Sequence, residues 1–167
     1  PQSLVAAKRV NEVLEQENIQ TFVSEDYGLE KIDTVEFKDV SFKYEGAEKA
    51  MLNHVDFTAK IGEKIAIIGS TGAGKSTLVN LLMRFLDTTS GELLMNGVNI
   101  REFTEKELRE QIAFVPQNRM LFEGSIRDNL RFGNEHATDE EMIQALKQAE
   151  AWEFVSSLEE GLDAHVE

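Results

Sequence analysis

The stretch Gly69-Ser-Thr-Gly-Ala-Gly-Lys-Ser76 constrains this chain more than any other, because it fills every fixed position of G-x-x-x-x-G-K-[ST]. Just before it runs Lys64-Ile-Ala-Ile-Ile68, a short apolar run between glycines that predicts a strand buried on both faces. Just after it, Leu78, Leu81, Leu82 and Phe85 recur at helical spacing and predict a helix starting at about Lys75. Strand, glycine-rich turn and helix in immediate succession make an α/β unit. Glycines in such a turn let consecutive N–H groups curl around an anion. The helix N-terminus brings unpaired donors and roughly half a positive charge to the same point. Lys75 adds a point charge near the β- and γ-phosphates. Ser76 offers a hydroxyl to Mg²⁺, an ion that keeps several waters and takes few protein ligands. The spacing therefore points to a nucleoside triphosphate with Mg²⁺. By itself it selects neither the base nor the use of the energy.

Composition narrows the setting. The 167 residues correspond to one domain, or one domain with an extension. Net charge is −14, which argues against a nucleic-acid binder working through bulk charge and against a polybasic membrane-surface module. Apolar residues make up 41%, enough for a core. The absence of cysteine excludes disulfides, thiolate metal sites and Cys nucleophiles within this sequence. No apolar run approaches the length of a membrane span, and residues 1–30 show no signal-peptide core. The charge is uneven. Residues 31–131 carry fourteen bases and fifteen acids, whereas residues 132–167 carry one base, Lys147, and ten acids. The motif thus lies in the balanced stretch, the one suited to an anionic ligand.

Along the chain, Leu4 to Glu17 reads as a helix with Ala6, Val10, Val13 and Leu14 on one stripe. Residues 18–32 read as a linker. Val35-Glu-Phe37 alternates, slips at Lys38-Asp39 and resumes over Val40 to Tyr44, predicting strand, bulge, strand. Val55, Phe57 and Ala59 predict a further antiparallel strand. Glu92 to Met95 followed by Asn96-Gly97 fits a hairpin. Residues 104–111 predict a short helix, and Ile112-Ala-Phe-Val115 a second buried strand stopped by Pro116. Thr138-Asp-Glu-Glu141 fits a capping box that opens a helix through Ala149. The chain reads as mostly helical from about Ser125.

Several of these stretches carry a resemblance. They are Val40-Ser-Phe-Lys-Tyr44 ahead of Gly69, Ser90-Gly-Glu92 with Asn96-Gly97, Ile112-Ala-Phe-Val-Pro-Gln117, Leu121-Phe-Glu-Gly-Ser-Ile-Arg-Asp-Asn129, and the leading helix with Ala7-Lys-Arg-Val10. In this order they are similar to the nucleotide-binding domain of ABC transporters of the exporter type. The resemblance covers nearly the whole chain. It implies an α/β P-loop NTPase core with an N-terminal antiparallel β subdomain, cut short before the helical subdomain is complete. It divides the chain into residues 1–30, a linker helix and connector from the membrane domain, and residues 31–167, a partial nucleotide-binding domain. It assigns nucleotide contacts to Tyr44, stacked on adenine, to Gly69, Ser70, Thr71, Gly72, Ala73, Gly74, Lys75, Ser76 and Thr77, and to Gln117. Ser76 and Gln117 face the metal. ATP and Mg²⁺ are the implied cofactors. The implied partners are the protein's own transmembrane domain, through the loop after Gln117, and a second nucleotide-binding domain packed head to tail, identical or not. Nucleic acid is not among them. The implied location is a cell membrane, with this domain on the cytoplasmic side.

The departures from the family pattern are contiguous. The chain contains no Gly-Gly pair, hence no Ser-Gly-Gly-Gln signature core. No run of apolar residues leads into Asp-Glu, so the second metal anchor and the general base are not found. The general base is expected beyond Glu167, the last residue of the sequence. His54, His136 and His165 have no support as the family's switch histidine. The sequence therefore reads as a fragment that ends before the signature loop, with no catalytic residue of its own and with nucleotide binding as its most. Against the exporter reading stand a soluble ABC-type ATPase acting on nucleic acid or ribosomes, a small kinase or GTPase, and a non-enzymatic nucleotide-binding module. The leading helix and the stretch after Gln117 disfavour the first. The lack of Asn-Lys-x-Asp disfavours a GTPase.

Overall fold

The computed structural model describes residues 20–118 and 120–166. The helix expected over Leu4–Glu17 lies outside them. So does Glu167, the residue past which the general base is expected, and the described residues therefore leave that expectation untouched. The chain divides between Ala113 and Phe114 into two compact units.

The first unit is built on a four-stranded antiparallel sheet in the order β2-β1-β3-β4. Its strands are β1 (Thr34–Phe42), β2 (Leu52–Lys60), β3 (Ser90–Met95) and β4 (Val98–Asn99). The expected slip at Lys38-Asp39 is there. Phe37 pairs with Phe57 and Val40 with Val55, so β1 advances three residues where β2 advances two. Asp39 takes φ +52 at this bulge. The extra residue returns Val40 and Phe42 to the same buried face as Phe37. The rings of Phe37 and Phe57 stack across the strands with centroids 4.5 Å apart. Asn96-Gly97 makes the β3–β4 turn with positive φ at both residues, the geometry that matches strand twist. Tyr44 falls just past the end of β1 rather than within it.

Helix α1 (Lys75–Leu82) follows the glycine-rich loop and buries Leu78 and Leu81 on the sheet. It is shorter than the apolar spacing predicts. Arg84 turns into the left-handed region at φ +49, and the Phe85 amide bonds back to the Asn80 carbonyl, so Phe85 lies beyond the helix and is exposed. Helix α2 (Glu105–Gln111) opens with a complete capping box between Thr104 and Glu107 and buries Leu108. The core joins Phe37, Val40, Leu81, Leu93, Phe103 and Leu108.

Two expectations fail. Lys64–Ile68 and Ile112–Val115 are not assigned to any strand, and neither is buried. Ile65, Ile67 and Ile68 are exposed, Ile68 at 94%, as are Phe114 and Val115. A doubly buried strand needs a neighbour on each side to take its hydrogen bonds and cover its faces. Among the described residues no strand pairs with either run.

The second unit is mostly helical, as expected from Ser125 onward. A short ladder of β5 (Gly124–Ser125) with β6 (His165–Val166) ties its ends together. Between them lie α3 (Ile126–Arg131), α4 (Asp139–Gln148) and α5 (Trp152–Ser157). Thr138 and Glu141 form the expected capping box. Met142, Leu146, Val155 and Leu162 make its core. Arg127 bridges the unit, with Nε 2.7 Å from Asp163 and a second pairing to Asp139 at the start of α4. These bonds hold the carboxyls of Asp163 and Asp139 below the usual carboxylate range and raise the guanidinium of Arg127 further.

Candidate functional site

The glycine-rich loop of the first unit is curled and held by its own atoms. The Ala73 amide donates to the Ser70 carbonyl at 3.2 Å. The Lys75 ammonium donates to the carbonyls of Gly69 and Ser70, each at 2.8 Å, so its charge sits over the mouth of the curl. Gly72 and Gly74 take φ +82 and +85. At Gly74 there is no room for a side chain, since a Cβ would lie 2.7 Å from Leu52 Cδ2 and 3.1 Å from the Met51 carbonyl. The loop thereby packs directly on the start of β2.

Gly74 is also the N-cap of α1, and a glycine has no side chain with which to cap. No acid stands in the first turn. The leading amides and the positive end of the helix dipole are therefore left to an anion. Ser76 is exposed and Thr77 buried. The Tyr44 hydroxyl lies 3.1 Å from Thr77 Oγ1, and its ring meets Phe42 edge-on at 4.8 Å. That pins a half-exposed aromatic beside the start of α1. Tyr44 and residues 69–77, far apart in sequence, are thus brought together in one unit. Gln117 belongs to the second unit, where it lies exposed in a bend.

The donor set suits a triphosphate with Mg²⁺. Among the described residues no group of three or more His, Asp or Glu side chains could hold a metal ion. A divalent ion held here would find the Ser76 hydroxyl as a single side-chain donor from the loop, the sparse protein coordination Mg²⁺ tolerates.

A curled glycine-rich loop between an apolar run and a helix, with Lys and Ser at the helix start, defines the P-loop class. The ABC transporter family profile matches residues 52–162. The chain belongs to the ABC transporter family, and its fold is of the ABC-exporter type. It is 45% identical over 132 residues to a Bacillus subtilis protein named for multidrug export as an ATP-binding/permease protein. That match covers 79% of this chain and 23% of the relative. A similarly named Staphylococcus aureus protein is 40% identical over 132 residues, with 79% and 23% covered. Among solved structures, a bacterial Atm1-family ABC exporter with ATP bound superposes with a TM-score of 0.85 at 31% identity, over 99% of this chain and 29% of that one. The chain thus spans about a quarter of the length of the relatives it matches.

Sequence reasoning missed a set of buried polar anchors beneath the connector. Glu107 is 7% exposed, and its Oε1 accepts from the amides of Gly28 at 2.7 Å and Leu29 at 3.0 Å. Burial alone would raise its pKa. The amides of Leu29, Thr104, Gly28 and Tyr27 outweigh that and hold it down at about 2. Arg84, 3% exposed, donates to the Thr21 carbonyl at 2.9 Å and stacks over the Phe22 ring at 4.2 Å. The Thr-x-x-Glu spacing of Thr104 and Glu107 signals the local cap. Nothing in it signals partners nearly eighty positions away.

Proposed function

We propose that the chain is the nucleotide-binding portion of an ATP-powered membrane exporter. The observation that carries this is the uncapped, acid-free N-terminus of α1 behind a glycine curl bridged by Lys75. In this reading Gly69, Ser70, Thr71, Gly72, Ala73 and Gly74 cradle the phosphates with backbone amides. Lys75 moves its ammonium from the loop carbonyls to the β- and γ-phosphates. Ser76 ligates Mg²⁺, Thr77 supports the first turn, and Tyr44 offers its ring to adenine. Gln117 serves as the metal-facing glutamine of the family pattern, and the loop after it meets the transmembrane domain. Residues 1–30 connect to that domain, and residues 31–167 bind nucleotide. A second nucleotide-binding domain packs head to tail, and the pair sits on the cytoplasmic side of the membrane. The names of the relatives support this reading, and nothing favours a nucleic-acid partner.

Bound Mg²⁺ supplies charge neutralisation between the phosphates. The chain's own residues position and desolvate them, which is where most of the rate in phosphoryl transfer arises. The sequence through Glu167 holds no Asp-Glu pair following an apolar run. In this reading this chain by itself binds nucleotide without turning it over. Calorimetry with MgATP tests the site. Lys75→Ala removes charge-assisted bonds of about 1.5–3 kcal/mol and weakens binding roughly 10- to 100-fold. Tyr44→Ala costs about 1–3 kcal/mol of stacking, on the order of tenfold. Equal affinity in the wild type and both variants contradicts the assignment. ATP turnover by this chain that Lys75→Ala abolishes leaves the site assignment standing and contradicts only the absence of turnover.

A further inference from the structure

The connector over residues 20–33 contains no helix or strand, yet it is held by two buried charges that belong to different elements. Arg84, two residues past the end of α1, takes the Thr21 carbonyl and covers Phe22. Glu107 of α2 takes the amides of Gly28 and Leu29. Its other oxygen accepts from the Thr104 amide at 2.9 Å, and the Thr104 hydroxyl reaches Asp26 at 2.9 Å. Tyr27 adds an edge-on contact to the buried ring of Phe103, with centroids 5.3 Å apart. The two elements are themselves tied, because Arg109 of α2 donates to the Met83 carbonyl at the end of α1, at 2.6 Å. Helix end, second helix and connector thus close a triangle of charge-assisted bonds.

This joint stands at the far end of α1 from the glycine-rich loop. The helix has eight residues, so roughly 12 Å of rigid rod separates the two ends. We propose that residues 21–29 form a strap coupled to the nucleotide site through α1, docked by Arg84 and Glu107 and tightened when the loop grips a triphosphate. The inference rests on the nucleotide-binding reading above. Arg84 keeps its pairing with Asp87 at 3.3 Å whether or not the strap is docked, but the buried Glu107 carboxylate would lose the amides of Gly28 and Leu29. A buried charge that loses its donors is costly, so the strap is docked or released rather than free to slide. Because α2 leads straight into Ile112 and Ala113, the last residues of the first unit, the joint engages the chain that enters the unit and sits on the element from which the chain leaves it. Coupling of this kind is reciprocal, so what the nucleotide does to the strap, the strap does to the nucleotide. Arg84 and Glu107 are positioning residues, since neither belongs to the loop.

Hydrogen exchange read by mass spectrometry on the full protein tests this, with and without a non-hydrolysable ATP analogue and Mg²⁺. The expected result is slower exchange in two places at once, in peptides containing Gly72 to Ser76 and in peptides containing Gly28 and Leu29. Glu107→Gln then abolishes the protection at Gly28 and Leu29, and Arg84→Met abolishes its dependence on nucleotide. Each weakens nucleotide binding about fivefold or more, the low end of ordinary coupling. Protection confined to the loop, with Gly28 and Leu29 unchanged in the wild type, overturns the strap and leaves the nucleotide site standing. No change in either place overturns both. The wild-type comparison needs no substitution, so a variant that folds poorly does not spare the proposal.

Discussion

Glu107 shows how one side chain sets a pH window. Burial pushes its carboxyl up, but the backbone amides around it outweigh that, and its folded pKa of about 2 lies below the ordinary carboxylate value near 4.3. The stability it contributes is therefore present above pH of about 4.3 and is lost as pH falls toward 2. Melting of the wild type and of Glu107→Gln across that range should show a gap that closes with acid. A gap independent of pH contradicts the assignment. His54 runs the other way. Its Nδ1 lies 2.5 Å from Asp39 Oδ1 at the β1 bulge, and that bond, with the charges of Asp39 and Asp56, raises its pKa. Its contribution is full below the unfolded value of about 6.5 and fades as pH rises through the raised one. NMR titration should find the His54 pKa lowered toward the ordinary value by Asp39→Asn. Neither pairing is legible beforehand. The partner of Asp39 is 15 positions away and that of Glu107 is 79, so no local spacing announces either.

Among the elements, the strand pair β1–β3 depends on Gly91. A Cβ there would lie 2.2 Å from the Asp39 carbonyl oxygen, and the residue takes φ +78. The obstruction is backbone of the neighbouring strand at its bulge, which cannot swing aside. Gly91→Ala should destabilise the fold by about 3 kcal/mol, from left-handed strain together with overpacking, as measured by denaturant unfolding. An unchanged midpoint contradicts that packing. Elements fixed by local chemistry were legible: the bulge at Lys38-Asp39 from the slip in alternation, the Asn96-Gly97 hairpin from its turn residues, and the Thr138–Glu141 cap from its spacing. Lys64–Ile68 and Ile112–Val115 were not, although their composition is that of buried strands. Composition states what a segment needs around it, and only pairing partners at long sequence separation supply it.

At the scale of the whole molecule, the two units differ in what holds them. The first has a sheet, a core of aromatic and aliphatic side chains and the buried anchors of the connector. The second has a smaller core and relies on Arg127, which ties α3 to Asp139 and Asp163. With both acids held below the usual range, their contribution is present near neutral pH and is lost as pH falls below about 4. Arg127→Met should lower the stability of this unit more than Asp139→Asn or Asp163→Asn alone, because it breaks both pairings at once. Equal effects from all three contradict a shared hub. The candidate site is legible to the extent that its parts are contiguous. Residues 69 to 77 announce themselves through glycine spacing, whereas the contact of Tyr44 with Thr77 exists only because the end of β1 and the start of α1 meet in the folded unit.

The proposal that this loop grips phosphate is tested most directly by a titration of the isotope-labelled chain with MgATP, followed through its backbone amide resonances. The largest shifts should fall on Gly72, Gly74, Lys75 and Ser76 and should vanish in Lys75→Ala. Saturable shifts that gather elsewhere and leave those four amides unmoved contradict the account.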